Sequence, residues 1–244
     1  MLIERRVIGN GGVKPACSVL QSLIVKASAS ESPPWKILLL GGGAAVGKST
    51  VAARIARRYQ TSLVPTDFVW LALQTVTDPT AHPELHYFDP AFSDFSLGAE
   101  RLSERHVKTA SAVSECLEPV VASLLLRDNE RAVIEGAWIT PLFAARKDFD
   151  GVESSGRVFG VFIHEPELTH VLHLMAARRR LSRPTRFQRL IARVCWLQGN
   201  WLAAEAARLG LPVIPARPQR SLVSRVLAAA HETPRHRTDV RTEN

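Results

Sequence analysis

Cysteine is scarce in this sequence, and the three cysteines form neither a metal-binding pattern nor a disulfide pattern. Cys17, Cys116 and Cys195 lie far apart, with no Cys-x-x-Cys pair among them. Such spacing argues against a metal site built on cysteines and against a disulfide-framed secreted domain. We therefore expect reduced thiols in a cytoplasmic protein.

Long apolar runs are absent as well. No stretch reaches the roughly 18 consecutive apolar residues that span a bilayer. The mildly apolar segment 16–25 is interrupted by Gln21 and closed by Lys26, so we expect neither a signal peptide nor a membrane partner. With 46% hydrophobic residues in a chain of 244, the composition indicates one globular domain with a sizeable core.

Acidic residues are fewer than basic ones. The chain has 31 Lys and Arg residues against 23 Asp and Glu residues, which gives a net charge of +8. This balance favours anionic partners such as nucleotides or phosphorylated metabolites. The aromatic interleaving of a nucleic-acid stacking platform is not evident, so a nucleic-acid partner is not expected.

Short apolar runs alternate with helical patterns along the chain. Residues 1–34 predict a flexible leader, residues 35–230 a single folded domain, and residues 231–244 a disordered basic tail. Residues 74–98 are rich in Pro, Asp, His and Phe and predict a loop or insertion. A long helical pattern over residues 99–127 contains Pro119, which should kink or split it. The alternation predicts an α/β three-layer fold with a mostly parallel five-stranded sheet. The expected strands are 37–40, 62–65, 132–136, 157–165 and 211–216.

The stretch KILLLGGGAAVGKST, residues 36–50, places an apolar run before a glycine loop with a lysine and two hydroxyl residues. It satisfies G-x-x-x-x-G-K-[ST], in which glycines let successive backbone N–H groups turn toward one phosphate. The following helix adds its N-terminal N–H groups and positive dipole end. Lys48 would meet the β- and γ-phosphates as a catalytic residue, and Ser49 would ligate Mg²⁺. The predicted ATP site comprises Gly42, Gly43, Ala44, Ala45, Val46, Gly47, Lys48, Ser49 and Thr50.

Two carboxylates follow predicted strands. Asp67 comes directly after residues 62–65, where it could orient an acceptor hydroxyl and take its proton; alternatively, Thr66 or Asp67 caps a helix. Glu135 ends the run AVIE and could hold a Mg²⁺-bound water. The ends of neighbouring parallel strands share one crevice, so we expect both carboxylates to face the phosphate loop.

A basic run, AARRRLSRPTRF, predicts an arginine-rich lid that could close over the triphosphate. We select Arg179 and Arg183 as its catalytic arginines; the alternative is a solvated basic face. Arg105 and His106, with their basic neighbours on the long helix, could touch an anionic substrate, although an exposed helix face explains them more simply.

These segments together resemble 2-phosphoglycerate kinase and its relatives among P-loop kinases over about residues 36–216. The stretches that carry the resemblance are GGGAAVGKSTVAARIARR, Thr66-Asp67, AVSECLEPVV with RAVIEGAWITP, and RPTRF with WLQGNWLAAEAARLGLPVI. The resemblance implies that residues 35–230 are a P-loop kinase domain, and it implies the fold, the use of ATP and phosphoryl transfer to a small hydroxylated molecule. Zeta-toxin-like and antibiotic phosphotransferase enzymes share the glycine loop and the aspartate, so these motifs do not fix the acceptor.

The chain departs from that family at three positions near the expected acceptor. Trp70 and Gln74 occupy the places of two family arginines, and Trp138 replaces a histidine. Tryptophan cannot reproduce a bidentate arginine–phosphate contact. The departures indicate a less charged, larger or more apolar acceptor than phosphoglycerate, unless both tryptophans simply pack in the core.

The sequence thus predicts an ATP- and Mg²⁺-dependent kinase that phosphorylates a hydroxyl group of a small molecule, with the oligomeric state left open. No Thr/Asn-Lys-x-Asp guanine-reading motif is present, which weakens a GTPase interpretation. Two alternatives remain: a nucleotide or nucleic-acid kinase, and an ATPase or nucleotide-dependent switch without acceptor chemistry.

Overall fold

Five parallel strands form the central sheet of the protein. The computed structural model describes residues 32–88, 94–178 and 184–232. The strands are β1 (Ile37–Gly42), β2 (Ser62–Pro65), β3 (Ala132–Glu135), β6 (Val158–His164) and β7 (Val213–Pro215), in the order β2-β3-β1-β6-β7. A small antiparallel hairpin is formed by β4 (Asp148–Phe149) and β5 (Val152–Glu153).

Helices connect the strands and cover the sheet. They are α1 (Lys48–Tyr59), α2 (Thr66–Val76), α3 (Pro83–His86), α4 (Gly98–Cys116), α5 (Glu118–Leu126), α6 (Pro141–Ala144), α7 (Leu168–Arg178), α8 (Arg186–Arg208) and α9 (Leu222–Glu232). The predicted α/β fold with a five-stranded parallel sheet is confirmed, and every pairing within the sheet is parallel.

Strand β1 lies at the centre because its sequence ILLLGG can be buried on both faces. Leu38 and Leu40 pack on one side of the sheet with residues of α1 and α9. Ile37 and Leu39 pack on the other side with residues of α5 and α8. These two cores give the three layers that the alternating sequence predicts.

A third, smaller core lies between α2, α3 and α4. It contains buried Leu85, Ala110, Val113 and Trp138, with Trp70 packed against it. This core fixes how the helices beyond β2 and β3 stand over the carboxyl ends of those strands.

One stretch of the chain agrees with the sequence prediction of a split helix, and another differs from its prediction. The long helical pattern is two helices, α4 and α5, which meet at Leu117 two residues before Pro119. Residues 74–98, predicted as a loop, contain the end of α2, the helix α3 and the 3₁₀ turn Phe95–Leu97. The predicted leader and tail lie outside the described residues except at 32–34 and 231–232.

One helical stretch, Phe95–Leu126, is long and apolar enough to cross a membrane by length and composition alone. It comprises the 3₁₀ turn, α4 and α5, and the buried face of α4 includes Leu102, His106 and Val113. Burial of this face against the rest of the protein is what a core helix requires.

Candidate nucleotide and acceptor site

The glycine loop between β1 and α1 has the conformation of an anion cradle. Ala45 and Gly47 adopt left-handed backbone angles, with φ of 66° and 98°. Successive turns of this kind direct neighbouring N–H groups to one point. Lys48 opens α1 and is buried, and its Nζ donates a hydrogen bond to the carbonyl oxygen of Gly43 at 2.6 Å.

Helix α8 supports this loop from behind. A Cβ atom on Gly43 would lie 3.0 Å from the Cα of Gly199 and 3.1 Å from the carbonyl oxygen of Cys195. Glycine at position 43 therefore permits the loop and the helix to approach closely. Burial raises the pKa of the Cys195 thiol to about 11, so this cysteine stays protonated and acts as a packing residue.

The two predicted carboxylates, Asp67 and Glu135, lie at the carboxyl ends of β2 and β3, and these strands end at the same level of the sheet. Pro65 and Leu40 both pair with Glu135 in the register of the sheet. Asp67 therefore lies in the first turn of α2, above the end of β2, while Glu135 is buried at the end of β3. The helix-capping alternative is wrong, because Pro65 is the N-cap residue and no side chain caps this helix.

Helix α2 also touches the residue after Glu135. A Cβ atom on Gly136 would lie 1.7 Å from the hydroxyl oxygen of Thr66, so only glycine fits there. Thr66 is fully buried, and its hydroxyl finds no hydrogen-bond partner in the part of the chain that the structure describes. This close approach holds the start of α2 against the end of β3.

Electrostatics show which charges surround Lys48. Burial lowers the pKa of its ammonium group, and the negative charges of Glu135 and Asp67 partly offset that effect. The positive charge of Arg178, at the end of α7, lowers the same pKa further. The structure thus brings the predicted lysine, both carboxylates and one arginine of the basic run to one place.

The two arginines that we select for the lid, Arg179 and Arg183, lie outside the described residues. Their catalytic role therefore stays a prediction. Arg178 belongs to the same basic run but was not selected. Its side chain is exposed at the last position of α7, next to those arginines in sequence.

Trp70 and Gln74, which the resemblance places at two arginine positions, donate hydrogen bonds to helix α3. Trp70 Nε1 donates to the carbonyl oxygen of Leu85 at 2.9 Å, and Gln74 Nε2 donates to the same oxygen at 3.0 Å. Both side chains therefore secure α3 against α2. One N–H of each side chain is therefore used within the protein.

Trp138 and His106 form an aromatic corner with Trp70. The Trp138 ring lies 4.8 Å from the Trp70 ring and 4.8 Å from the His106 ring, with His106 at 89° to it. Ser114 donates its hydroxyl to the Trp138 carbonyl oxygen at 2.7 Å and accepts the Thr140 N–H at 3.0 Å. Burial, with a smaller contribution from Lys48, lowers the pKa of His106 to about 3, so its ring is neutral.

His106 and Gln198 are site residues that sequence reasoning missed or misplaced. His106 is buried and does not lie on an exposed face of α4. Its place in the repeating pattern of apolar residues along that helix is the sequence signal that indicates its burial. Gln198, on α8, donates its Nε2 to the carbonyl oxygen of Ala137 at 3.0 Å. Nothing in its local sequence distinguishes it from a surface glutamine.

The donor set suits Mg²⁺ held together with a nucleotide. Within residues 32–88, 94–178 and 184–232 no group of three or more His, Cys, Asp or Glu side chains could hold a metal ion alone. Ser49 at the start of α1 and Glu135 nearby supply one hydroxyl and one carboxylate. Because Mg²⁺ in such sites takes its remaining ligands from phosphates and water, these residues fit it.

A central parallel strand that runs into a Gly-Lys-Ser loop and a helix defines a P-loop nucleotide-binding fold of the α/β class. A 2-phosphoglycerate kinase of Methanocaldococcus jannaschii is 24% identical to this chain over 182 residues, which are 73% of this chain and 57% of that protein. The predicted resemblance to this group of kinases is confirmed, although the chain spans little more than half the length of that relative.

No protein-family model matches the chain. Among solved structures, a gluconokinase from Sinorhizobium meliloti 1021 is 16% identical, with a TM-score of 0.44 over 82% of this chain and 94% of that one. A shikimate kinase from Acinetobacter baumannii, solved with shikimate, is 14% identical, with a TM-score of 0.45 over 79% of this chain and 91% of that one.

Proposed function

We propose that the protein is an ATP-dependent kinase that transfers the γ-phosphate to a hydroxyl group of a small molecule. The observation that carries this proposal is the convergence of Asp67 and Glu135 on Lys48 at the carboxyl ends of three adjacent strands. A phosphate cradle needs only the lysine and the loop. The exposed carboxylate of Asp67 beside it is what an acceptor hydroxyl requires.

The donor nucleotide would bind in the loop 42–50, where backbone N–H groups and the start of α1 face its phosphates. Mg²⁺, when bound with ATP, would neutralise charge on the β- and γ-phosphates. Ser49 and Glu135 would hold the ion, the latter through a bound water, and Lys48 would contact the transferred group. Arg178, at the end of α7, would stabilise negative charge on the phosphates, and Arg179 and Arg183 of the same basic run are the other candidates.

On the acceptor side, Asp67 would accept a hydrogen bond from the acceptor hydroxyl and orient its oxygen toward the γ-phosphorus. As the new O–P bond forms, the bond to the leaving ADP oxygen breaks and the hydroxyl proton passes to Asp67. The site needs no covalent intermediate for this step, because both substrates can meet directly above the strand ends.

The acceptor is not proposed to be 2-phosphoglycerate, despite the relative of that name. Trp70 and Gln74 stand at the positions of two family arginines, and each donates one N–H to the Leu85 carbonyl oxygen. Phosphate recognition of the arginine type is therefore lost at these positions. A differently charged acceptor fits these residues better.

The substitution Asp67→Asn tests the proposal. We expect phosphotransfer to fall at least about 100-fold at saturating substrates, because the amide cannot take the proton. The affinity for ATP should stay within about 3-fold, since the carboxylate faces the acceptor. Rates from labelled ATP and affinities from calorimetry give the two readings.

Asp128→Asn, an exposed aspartate in the turn after α5, is the matched control and should match the wild type. Full phosphotransfer by the Asp67→Asn variant would contradict the acceptor role. Steady ATP hydrolysis that no acceptor in a metabolite panel stimulates would instead favour an ATPase or switch.

A further inference from the structure

Two buried nitrogen atoms in the aromatic corner lack hydrogen-bond partners. Trp138 is 4% exposed and His106 is 8% exposed, and their Nε1 and Nδ1 atoms are inaccessible to solvent. Neither atom has a partner among residues 32–88, 94–178 and 184–232. An unpaired buried polar group costs about 1–3 kcal/mol, and here two of them belong to rings in direct contact, so a polar partner for both would stabilise this corner.

This corner belongs to the same site as the phosphate loop. The charge of Lys48 acts on the pKa of His106, so the imidazole lies within electrostatic reach of the lysine. Trp138 is three residues beyond Glu135 and is held by the Ser114 hydroxyl on one side. The segment 135–138 therefore connects the proposed metal-side carboxylate to the two unpaired nitrogens.

The chemistry of the two nitrogens selects a hydroxyl group. The indole N–H of Trp138 can only donate, whereas a neutral imidazole Nδ1 accepts or donates according to its tautomer. A hydroxyl satisfies both atoms with either tautomer, because it donates and accepts. A carboxylate or phosphate oxygen only accepts, and its charge would face uncharged donors in a poorly solvated place.

The rings around these atoms suit an uncharged, hydroxylated carbon skeleton. Trp70 is half-buried beside Trp138, and its own N–H is already bound to Leu85, so it offers its ring and no polar group. Aromatic faces of this kind pack against C–H groups while the polar atoms are satisfied at the edge.

We infer that binding of the phosphoryl acceptor opens the aromatic corner so that Trp138 Nε1 and His106 Nδ1 bind one of its hydroxyl groups, and that this acceptor is a neutral polyol or sugar. This inference rests on the proposed kinase function and specifies its substrate class. The second hydroxyl of such a molecule would face Asp67, which leaves the phosphate loop free for the nucleotide.

Pairs of acceptors that differ only in one acid group test the substrate class. Phosphotransfer from labelled ATP is measured with sorbitol and gluconate, with glycerol and glycerate, and with 2-phosphoglycerate. We expect the neutral member of at least one pair to exceed its acid at least 10-fold in kcat/KM. A preference for the acids or for 2-phosphoglycerate would overturn the inference but leave the kinase function standing.

Variants that remove only the nitrogen atoms test the two residues. Trp138→Phe and His106→Phe keep aromatic rings and should each raise the KM for the neutral acceptor about 10-fold, with the KM for ATP unchanged. Trp35→Phe is the matched control, because Trp35 is also a buried tryptophan whose Nε1 has no partner in the described chain, but it packs on Tyr59 at the opposite end of β1.

Equal acceptor KM values in the three variants would overturn the inference. So would the absence of transfer to every acceptor, which would at the same time remove the kinase function. Circular dichroism and thermal melting of each variant show whether a lost activity reflects unfolding, and in that case His106→Gln, which keeps a polar group, should recover acceptor binding.

Discussion

At the scale of single residues, His106 shows how burial changes the chemistry of a side chain. An imidazole on a solvated helix would titrate near neutral pH, but this ring packs edge-on against Trp138 and against Phe88. Burial and the charge of Lys48 lower its pKa from the ordinary 6.5 to about 3. A residue that the sequence offers as a cation is therefore an uncharged hydrogen-bonding group.

This shift makes the stability of the protein depend on pH. Between about pH 6.5 and pH 3 the unfolded chain protonates His106 while the folded protein does not, so the free energy of unfolding decreases as the pH falls. The contribution approaches ~1.4 kcal/mol per pH unit within that window. The free energy of unfolding, measured with urea at pH 7.5, 6.0 and 5.0, should decrease more steeply with falling pH for the wild type than for His106→Phe. Equal decreases in the free energy of unfolding for the two proteins would contradict the lowered pKa of His106.

At the scale of elements, the contact between the phosphate loop and α8 depends on two glycines that are not equivalent. A Cβ atom on Gly43 would approach the Gly199 Cα to 3.0 Å, whereas a Cβ atom on Gly199 would lie 3.5 Å from the Gly43 Cα. The first distance is tighter than ordinary packing, so the loop or the helix must yield by a few tenths of an ångström. The second is ordinary van der Waals contact.

Two alanine substitutions exploit this asymmetry. Gly43→Ala should weaken ATP binding about 10-fold or more, because the loop must move away from α8. Gly199→Ala should leave ATP affinity unchanged and increase stability by up to about 1 kcal/mol, since alanine is the better helix former. Calorimetric titration and thermal melting measure both effects. If both variants lost the same affinity for ATP, the phosphate loop would not depend on the close contact between Gly43 and α8.

Sequence reasoning succeeded where the signal is local. The glycine spacing at residues 42–49 and the alternation of strands and helices each depend on a short stretch of chain, so the loop and the sheet were predictable. For His106 the apolar period of α4 indicated a buried position, but its basic neighbours suggested an exposed one. For Gln198 no local signal exists, because the face that a helical residue presents depends on packing by distant elements. Arg178 illustrates an intermediate case: the basic run indicated a cluster, but only the fold shows which described arginine acts on Lys48.

At the scale of the whole molecule, the proposed function predicts strong coupling between ligand binding and stability. The loop is bordered by β1, α1 and α8, so a nucleotide bound there would add contacts to the centre of the fold. A ligand at 100 times its Kd stabilises by about 2.7 kcal/mol, which is roughly 5–10 °C in Tm for a domain of this size. Mg²⁺ with a non-hydrolysable ATP analogue should produce this shift, and EDTA should reduce it.

The Lys48→Met variant provides the control for that measurement. It lacks the ammonium group that would meet the phosphates, so its Tm should rise by less than half as much under the same conditions. A full shift in this variant would place the nucleotide elsewhere on the protein. No shift in the wild type would contradict nucleotide binding itself.

The strand order β2-β3-β1-β6-β7 also determines when the chain can fold during its synthesis. β1 leaves the ribosome early, yet Ile37 pairs with Ala132 and with Val158, both of which are made about a hundred residues later. Until then, an entirely apolar strand has both edges unpaired, which favours association with other chains. Translation beyond His164 is therefore the event that first allows the central strand to be enclosed.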